Sequence, residues 1–226
     1  MCGRYSMTFE EVMRLYRKYE QYLRRENFVP RDRYDIRPGT NVLALRNHHE
    51  RGIELTKLKW GLLPHWSKEP QVKYSTFNAR AESVEAKPAF RVPFRRRRCL
   101  IPATGWYEWQ EAERGNKRKW HMHCRNGAAF SFAGLWDRWE REGQAIETRT
   151  IIVGEPNRKL GKIHDRMPVI ADPKDYDFWL DPKIDAVPAL RELLTPAPDE
   201  DIEARVVRND KRPRDDDASL VEVAEA

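Results

Sequence analysis

Helical periodicity runs through only one long stretch of this chain. Beyond it, apolar residues alternate or break off within a few positions, which confines the fold to a sheet with helices at its margins. Phe9, Val12, Met13, Tyr16, Tyr19 and Leu23 recur at helical spacing from Thr8 to Leu23, and Thr8 with Glu11 fits a capping box. Ile53 to Leu63 reads as a strand ending near Pro64. Trp120, Met122 and Cys124 alternate with His121 and His123, the period of a half-buried strand. Ala128 to Trp136 and Thr148 to Val153 read as further strands. Asp172 before Pro173 predicts the N-cap and first turn of a short helix through Leu180, and Asp185 to Leu194 predicts another. Pro and Gly are scattered and no segment repeats, so one α+β domain is expected, with a mixed, mostly antiparallel β core and peripheral helices. There is no regular βαβ alternation and no Gly-rich phosphate loop, which excludes a Rossmann or P-loop nucleotide binder.

The 226 residues suffice for a sizeable core, and eight each of Trp, Tyr and Phe exclude a disordered chain. No apolar stretch approaches the roughly 20 residues of a membrane helix. Met1-Cys2-Gly3-Arg4-Tyr5 lacks the apolar core of a signal peptide. Three Cys at positions 2, 99 and 124 give no disulfide framework, so a reducing, cytoplasmic setting is expected, nucleoid-associated in a bacterium. From Asp199 to Ala226 ten acidic residues face five basic ones, and the rest of the chain carries the excess of positive charge. A basic body suits a polyanion, and pairs such as Lys59-Trp60, Lys119-Trp120 and Arg138-Trp139 mix cations with flat rings as single-strand binders do. The run Arg95-Arg96-Arg97-Arg98 reads equally as a phosphate-facing patch or as an exposed connection before a buried strand.

Few side chains offer chemistry. Strand alternation puts His121 and His123 on one face and Cys124 on the other, so they do not make a metal site, and none is expected. Cys99, between Arg98 and Leu100-Ile101, reads as a buried core thiol. Cys2 differs, because removal of Met1 would expose an α-amine and a thiol on adjacent carbons. Such an amine, with a pKa of about 7.7–8.0, is far more often neutral than a Lys amine. It can attack an aldehyde to form a Schiff base, which the neighbouring thiol traps as a five-membered thiazolidine. An N-terminal Cys can also serve as an acyl-transfer nucleophile, or be an accident of a terminus. Glu108, inside Gly105-Trp106-Tyr107-Glu108-Trp109, sits among aromatics that would desolvate it and raise its pKa. His164, in Ile163-His164-Asp165-Arg166-Met167-Pro168, offers an acid or base. Asn78 and Arg80, in Phe77-Asn78-Ala79-Arg80-Ala81-Glu82, offer an amide and a phosphate-binding cation.

Taken with Trp60-Gly61-Leu62-Leu63-Pro64-His65-Trp66 and Arg98-Cys99-Leu100-Ile101-Pro102, these segments closely resemble the SRAP family, named for SOS-response-associated peptidase and also called abasic-site processing proteins. The resemblance implies a single SRAP-like domain over 1–222 with a short tail at 223–226. The family's Val-rich strand resembles the segment near Val206-Val207, which puts part of the acidic tail inside the domain. It implies an enzyme that binds abasic sites in single-stranded DNA, crosslinks to them through Cys2 as a thiazolidine, and has lyase and crosslink-reversal activity. Asn78 would hold Cys2 and the sugar, Glu108 would move protons, and His164 would promote ring opening or β-elimination. Arg4, Arg80 and Arg166 would hold flanking phosphates, with Trp66 and Trp106 packed near the lesion. No cofactor or metal is implied, the chain is expected to be monomeric, and replication-associated proteins are candidate partners. One departure stands out. Where the family carries a Thr with small residues, this chain reads Ile151-Ile152-Val153-Gly154-Glu155-Pro156, which removes a hydroxyl and adds a negative charge. The competing functions are an N-terminal-nucleophile peptidase or amidase, which needs an oxyanion hole instead of phosphate clamps, and a non-catalytic single-strand binding module.

Overall fold

In a computed structural model of the chain, which describes residues 2–23, 31–112, 115–209 and 216–224, two sheets carry the fold. The smaller sheet orders β13 (Ile202–Val206), β8 (Lys117–Cys124), β7 (Gly105–Glu111), β1 (Tyr5–Met7) and β2 (Arg33–Ile36). The larger runs β11 (Met167–Pro168), β10 (Gln144–Gly154), β4 (Gly52–Trp60), β3 (Asn41–His48), β6 (Arg98–Ala103), β9 (Phe130–Arg141) and β12 (Ile170–Ala171). A short strand, β5 (Asn78–Arg80), lies parallel against β10. Because β9 also pairs with β10, strands β10, β4, β3, β6 and β9 close into a ring. Among the described strands only the pairings of β10 with β4 and β5 are parallel, and an isolated parallel bridge joins Leu23 to Leu55. The expected α+β class with a mostly antiparallel core is what the chain adopts.

Several boundaries differ from the sequence reading, each for a local reason. Thr8 is the N-cap of α1 (Phe9–Leu15), but its side chain makes no capping bond. Asp32, from a distant segment, accepts from the Phe9 N–H at 2.7 Å instead. The α-helix ends at Leu15 and a 3₁₀ helix continues over Arg17–Tyr22. There the Tyr16 hydroxyl is held by Ser131 Oγ at 2.7 Å, and the Tyr19 hydroxyl donates to Asp177 at 2.6 Å. Strand β4 stops at Trp60, short of Leu63, because Gly61 turns the chain at φ +127°. The hairpin joining β9 and β10 is longer than alternation predicts. Its turn is Glu142-Gly143, both at positive φ, as a type I′ connection requires. Asp172 does cap its segment, accepting from the Lys174 N–H ahead of α3 (Tyr176–Leu180).

The arginine run splits in two. Arg95 and Arg96 end α2 (Arg91–Arg96), while Arg98 opens β6 with its guanidinium buried. Arg98 donates to the carbonyls of Phe94, Arg95, Trp179 and Ile184, so it ties together loose helix ends and binds no phosphate. The expected helix at Asp185–Leu194 is the shorter α4 (Val187–Glu192). At the acidic end of the chain, β13 pairs with β8, Asp216 accepts from the Tyr34 and Asp35 N–H groups, and Val223 bridges Val207. Glu225 and Ala226 of the expected tail, like Met1, lie outside the described residues. Tyr5 meets Trp60 and Phe132 edge-on, and Trp106 meets Phe130 and Phe132 likewise, so the core joins the two sheets beside the N-terminal strand. No helix among the described residues is long and apolar enough to cross a membrane.

Candidate active site

The site forms where the N-terminal strand is clasped between the two sheets. Strand β1 lies between β2 and β7, with Tyr5 opposite Trp106 and the Tyr107 N–H donating to the Arg4 carbonyl at 2.9 Å. That register buries Cys2 completely. On the other side, β5 is stitched onto β10 with Asn78 opposite Ile151. The Asn78 amide Nδ2 donates to the Cys2 carbonyl oxygen at 2.8 Å. A residue of each sheet therefore fixes the start of the chain, and the sequence-predicted role of Asn78 as the holder of Cys2 matches its geometry.

Glu108 comes from β7, two residues beyond Trp106 on the same face of the strand. It is almost fully buried, and that burial pushes its carboxyl up to about 7. Its Oε2 lies 3.6 Å from His164 Nε2. His164 follows a 3₁₀ turn at Leu160–Lys162, which the Asn157 side chain caps by accepting from the Leu160 N–H. The Arg166 N–H donates to His164 Nδ1 at 3.0 Å, which leaves the proton of a neutral ring on Nε2, toward Glu108. Asp165, largely exposed, lies 3.0 Å from the same Nδ1 and favours the charged ring. Burial is the larger influence, and it lowers the His164 pKa from its ordinary value. A carboxyl raised to neutrality thus faces an imidazole held below it, an arrangement that can give and take protons near pH 7. Burial, and next the charge of Glu108, push the Cys2 thiol well above the usual thiol range.

The cations and rings surround this core unequally. Arg4 packs against the Trp109 ring and pairs with Asp35, Nε to Oδ1, at 2.9 Å. Arg166 pairs with Glu82 at 2.8 Å. Arg80 is exposed at the end of β5, two residues past Asn78, and stands opposite Val153. Trp66 presents an indole that is 48% exposed, on a turn anchored where Asp137 accepts from the His65 N–H at 2.9 Å. Trp106 departs from expectation. It is fully buried against Phe130 and Phe132, so it forms the floor under the site and presents no face to a nucleotide. Val153 is buried between Arg80 and Pro168 on the neighbouring strands, and Glu155 is exposed just past the end of β10.

His121 and His123 do share a face of β8, their rings stacked at 5.6 Å. Each has its own hydrogen bond, His121 Nε2 with Ser6 Oγ and His123 Nδ1 with the Cys124 carbonyl. No group of three or more His, Cys, Asp or Glu side chains converges among the described residues. Sequence reasoning missed Arg149 altogether. It lies fully buried on β10, its Nη2 donating to the Tyr5 hydroxyl at 3.0 Å and its guanidinium 4.4 Å from the centre of the Trp60 ring. The available signal was a lone cation among the inward positions of Thr148 to Val153.

Comparison with known proteins agrees with this architecture. The family described as SOS response associated peptidase (SRAP) matches residues 1–211. The chain is 36% identical to abasic site processing protein YoaM of Bacillus subtilis (strain 168), covering 98% of each chain. It is 28% identical to abasic site processing protein HMCES of Mus musculus, over 73% of this chain and 57% of that one. A crystal structure of a protein from Bacteroides thetaiotaomicron superposes with a TM-score of 0.85 at 27% identity, covering 99% of this chain and all of the other. With its motifs in order, its fold shared and its match spanning residues 1–211, the chain belongs to the SRAP family.

Proposed function

We propose that this chain processes abasic sites in single-stranded DNA by crosslinking to them through Cys2 once Met1 has been removed. The observation that carries the reading is the buried Cys2, held by Asn78 and set beside a carboxyl raised to about 7 that faces an imidazole. The names of the relatives, abasic site processing proteins, point to the same substrate.

An abasic deoxyribose is mostly a closed hemiacetal. Ionised Glu108 takes its hydroxyl proton while the protonated form of His164 gives its Nε2 proton to the ring oxygen, the ring C–O bond breaks, and the sugar opens to an aldehyde. The Cys2 α-amine adds to the aldehyde carbon with one N–H proton passing to the carbonyl oxygen. Protonated Glu108 then gives its proton to the departing hydroxyl, releasing water, and the remaining N–H proton passes to the neutral His164 ring, leaving an imine. The Cys2 sulfur then bonds to the imine carbon, the C=N π electrons move to nitrogen, and the thiol proton passes to that nitrogen. A thiazolidine results. The same imine acidifies the adjacent sugar C–H, so proton loss there with departure of the 3′ phosphate is the competing lyase path. Arg80 and Arg166, with Arg4, grip the flanking phosphates, and the exposed Trp66 stacks on a base.

The test is intact mass after mixing the protein, with Met1 absent by mass, with a single-stranded oligonucleotide carrying one abasic site and no borohydride. The expected product is protein plus oligonucleotide less one water, absent with Cys2→Ala and Cys2→Ser. No adduct from the wild type overturns the reading.

A further inference from the structure

A fully buried arginine with no carboxylate beside it is an expensive thing to fold, because the charge must be stripped of water and is normally compensated by an ion pair. Arg149 is such a residue. Among the described residues its Nε and Nη1 find no hydrogen-bond acceptor, and its one side-chain bond is to the neutral hydroxyl of Tyr5. The guanidinium is instead held by rings, 4.4 Å from the centre of Trp60 and 5.5 Å from that of Tyr5. Its place in the fold is equally specific. Residue 149 sits where β10 meets β4 and closes the ring of strands, opposite Trp60, with its carbonyl accepting from the Gly61 N–H. By strand alternation it shares a face with Ile151, which stands opposite Asn78, the residue that holds Cys2.

We propose that Arg149 is a positioning residue that acts through Cys2, a buried cation whose field stabilises the sulfur as it gives up its proton. The acidic groups on which its charge acts are Tyr5 on β1, Cys99 on β6 and Cys2 itself. Among the other groups that act on the Cys2 thiol, Glu108 on β7, which faces His164, opposes loss of the thiol proton in its ionised form. Two favour that loss: the N-terminal amine, whose pull is larger than that of Arg149, and the backbone of Arg4, just before β1. The pull of Arg149 on the thiol is opposite in sign to both burial and Glu108. Within the crosslinking reading, on which the catalytic meaning of this role rests, Arg149 serves the ring-closing step. There the S–H proton leaves, the S–C bond forms and the imine nitrogen takes up a proton. The charge that gathers on sulfur at that moment meets the field of the buried Arg149 cation.

Iodoacetamide alkylation as a function of pH, read by mass on the peptide that carries Cys2, tests this without DNA. The midpoint is taken as the pH at which alkylation reaches a set rate, because the thiol ionises well above the usual range. Arg149→Met keeps bulk without charge, Arg149→Gln keeps a donor for Tyr5 without charge, and Arg149→Lys keeps the charge. The expected result is a rise of about one pH unit in the Cys2 midpoint for Met and Gln, near wild-type behaviour for Lys, and no change at Cys124 in any of them. On abasic DNA, imine trapped by borohydride should form at the wild-type rate in Arg149→Met while the borohydride-free adduct forms about tenfold more slowly. Should both uncharged variants fail to fold, Tyr5→Phe decides. It removes the hydroxyl dipole opposing the guanidinium and should lower the Cys2 midpoint. An unmoved midpoint in folded Met and Gln variants, or in Tyr5→Phe where those do not fold, overturns the role of Arg149. A moved midpoint with no adduct on abasic DNA overturns only the crosslinking reading.

Discussion

At Glu108 a single side chain couples reactivity to stability. Its carboxyl titrates near 7 in the fold against an ordinary 4.5, so the folded state holds a proton that the unfolded chain has released. The stability it contributes is complete below pH 4.5 and is lost as pH rises through 7. Glu108→Gln, neutral at every pH, should therefore match the wild type in acid and exceed it at pH 8 by about 3 kcal/mol, as chemical denaturation would measure. The same variant should crosslink roughly 10²–10⁴-fold more slowly and lose the inflection near neutral pH, a loss visible in a pH–rate profile. Cys2, Asn78, Glu108 and His164 were legible as a set only through the resemblance to the SRAP family, because each taken alone sits among residues that suit packing as well as chemistry. Trp106 was misread, since an aromatic beside a functional carboxylate looks the same whether it lines a cleft or underlies it. Arg149 was invisible for a different reason. A charge at an inward strand position contradicts the alternation by which the strand is recognised.

Among the elements, β7 carries the heaviest constraint, because it both pairs with β1 and delivers Glu108. Gly105 at its start has no room for a side chain. A Cβ there would stand 2.2 Å from His121 Nε2 and 2.7 Å from the Met122 carbonyl oxygen. Gly105→Ala should cost about 1–3 kcal/mol in thermal or denaturant unfolding, and crosslinking should fall further than stability does as β7 shifts away from Cys2. Gly61 presents the opposite case, with open space around it but a backbone at φ +127° that an L side chain rarely adopts. Gly61→Ala should cost about 1–3 kcal/mol through strain alone. The helix near the N-terminus and the hairpin strands were readable from period. Strands β3, β6 and β7 were not, because β6 is buried along its whole length and β3 and β7 along most of theirs, which erases alternation. The parallel contacts of β10 with β4 and β5 were unreadable too, since they depend on closure of the ring rather than on any local pattern.

Across the whole molecule, the cations proposed to hold phosphate are already partly engaged. Arg4 is paired with Asp35 and Arg166 with Glu82, while Arg80 is exposed. If these arginines hold phosphates as proposed, DNA displaces the two carboxylates, so Asp35→Asn should tighten binding to single-stranded DNA and steepen its fall with salt. Arg80→Ala should weaken binding and flatten that slope by about 0.7, as fluorescence anisotropy across a salt series would show. The burial of Cys2 also sets a timetable for making the protein. Strand β1 docks against β7, about a hundred residues further along the chain, and Cys2 is buried in the docked state. At about 5–20 residues per second, synthesis of the intervening chain leaves a delay of roughly 5–20 s before β1 can meet β7. On the proposed reading, that interval is when the amine of Cys2 is freed, so the order of trimming and folding sets how much of the protein can react.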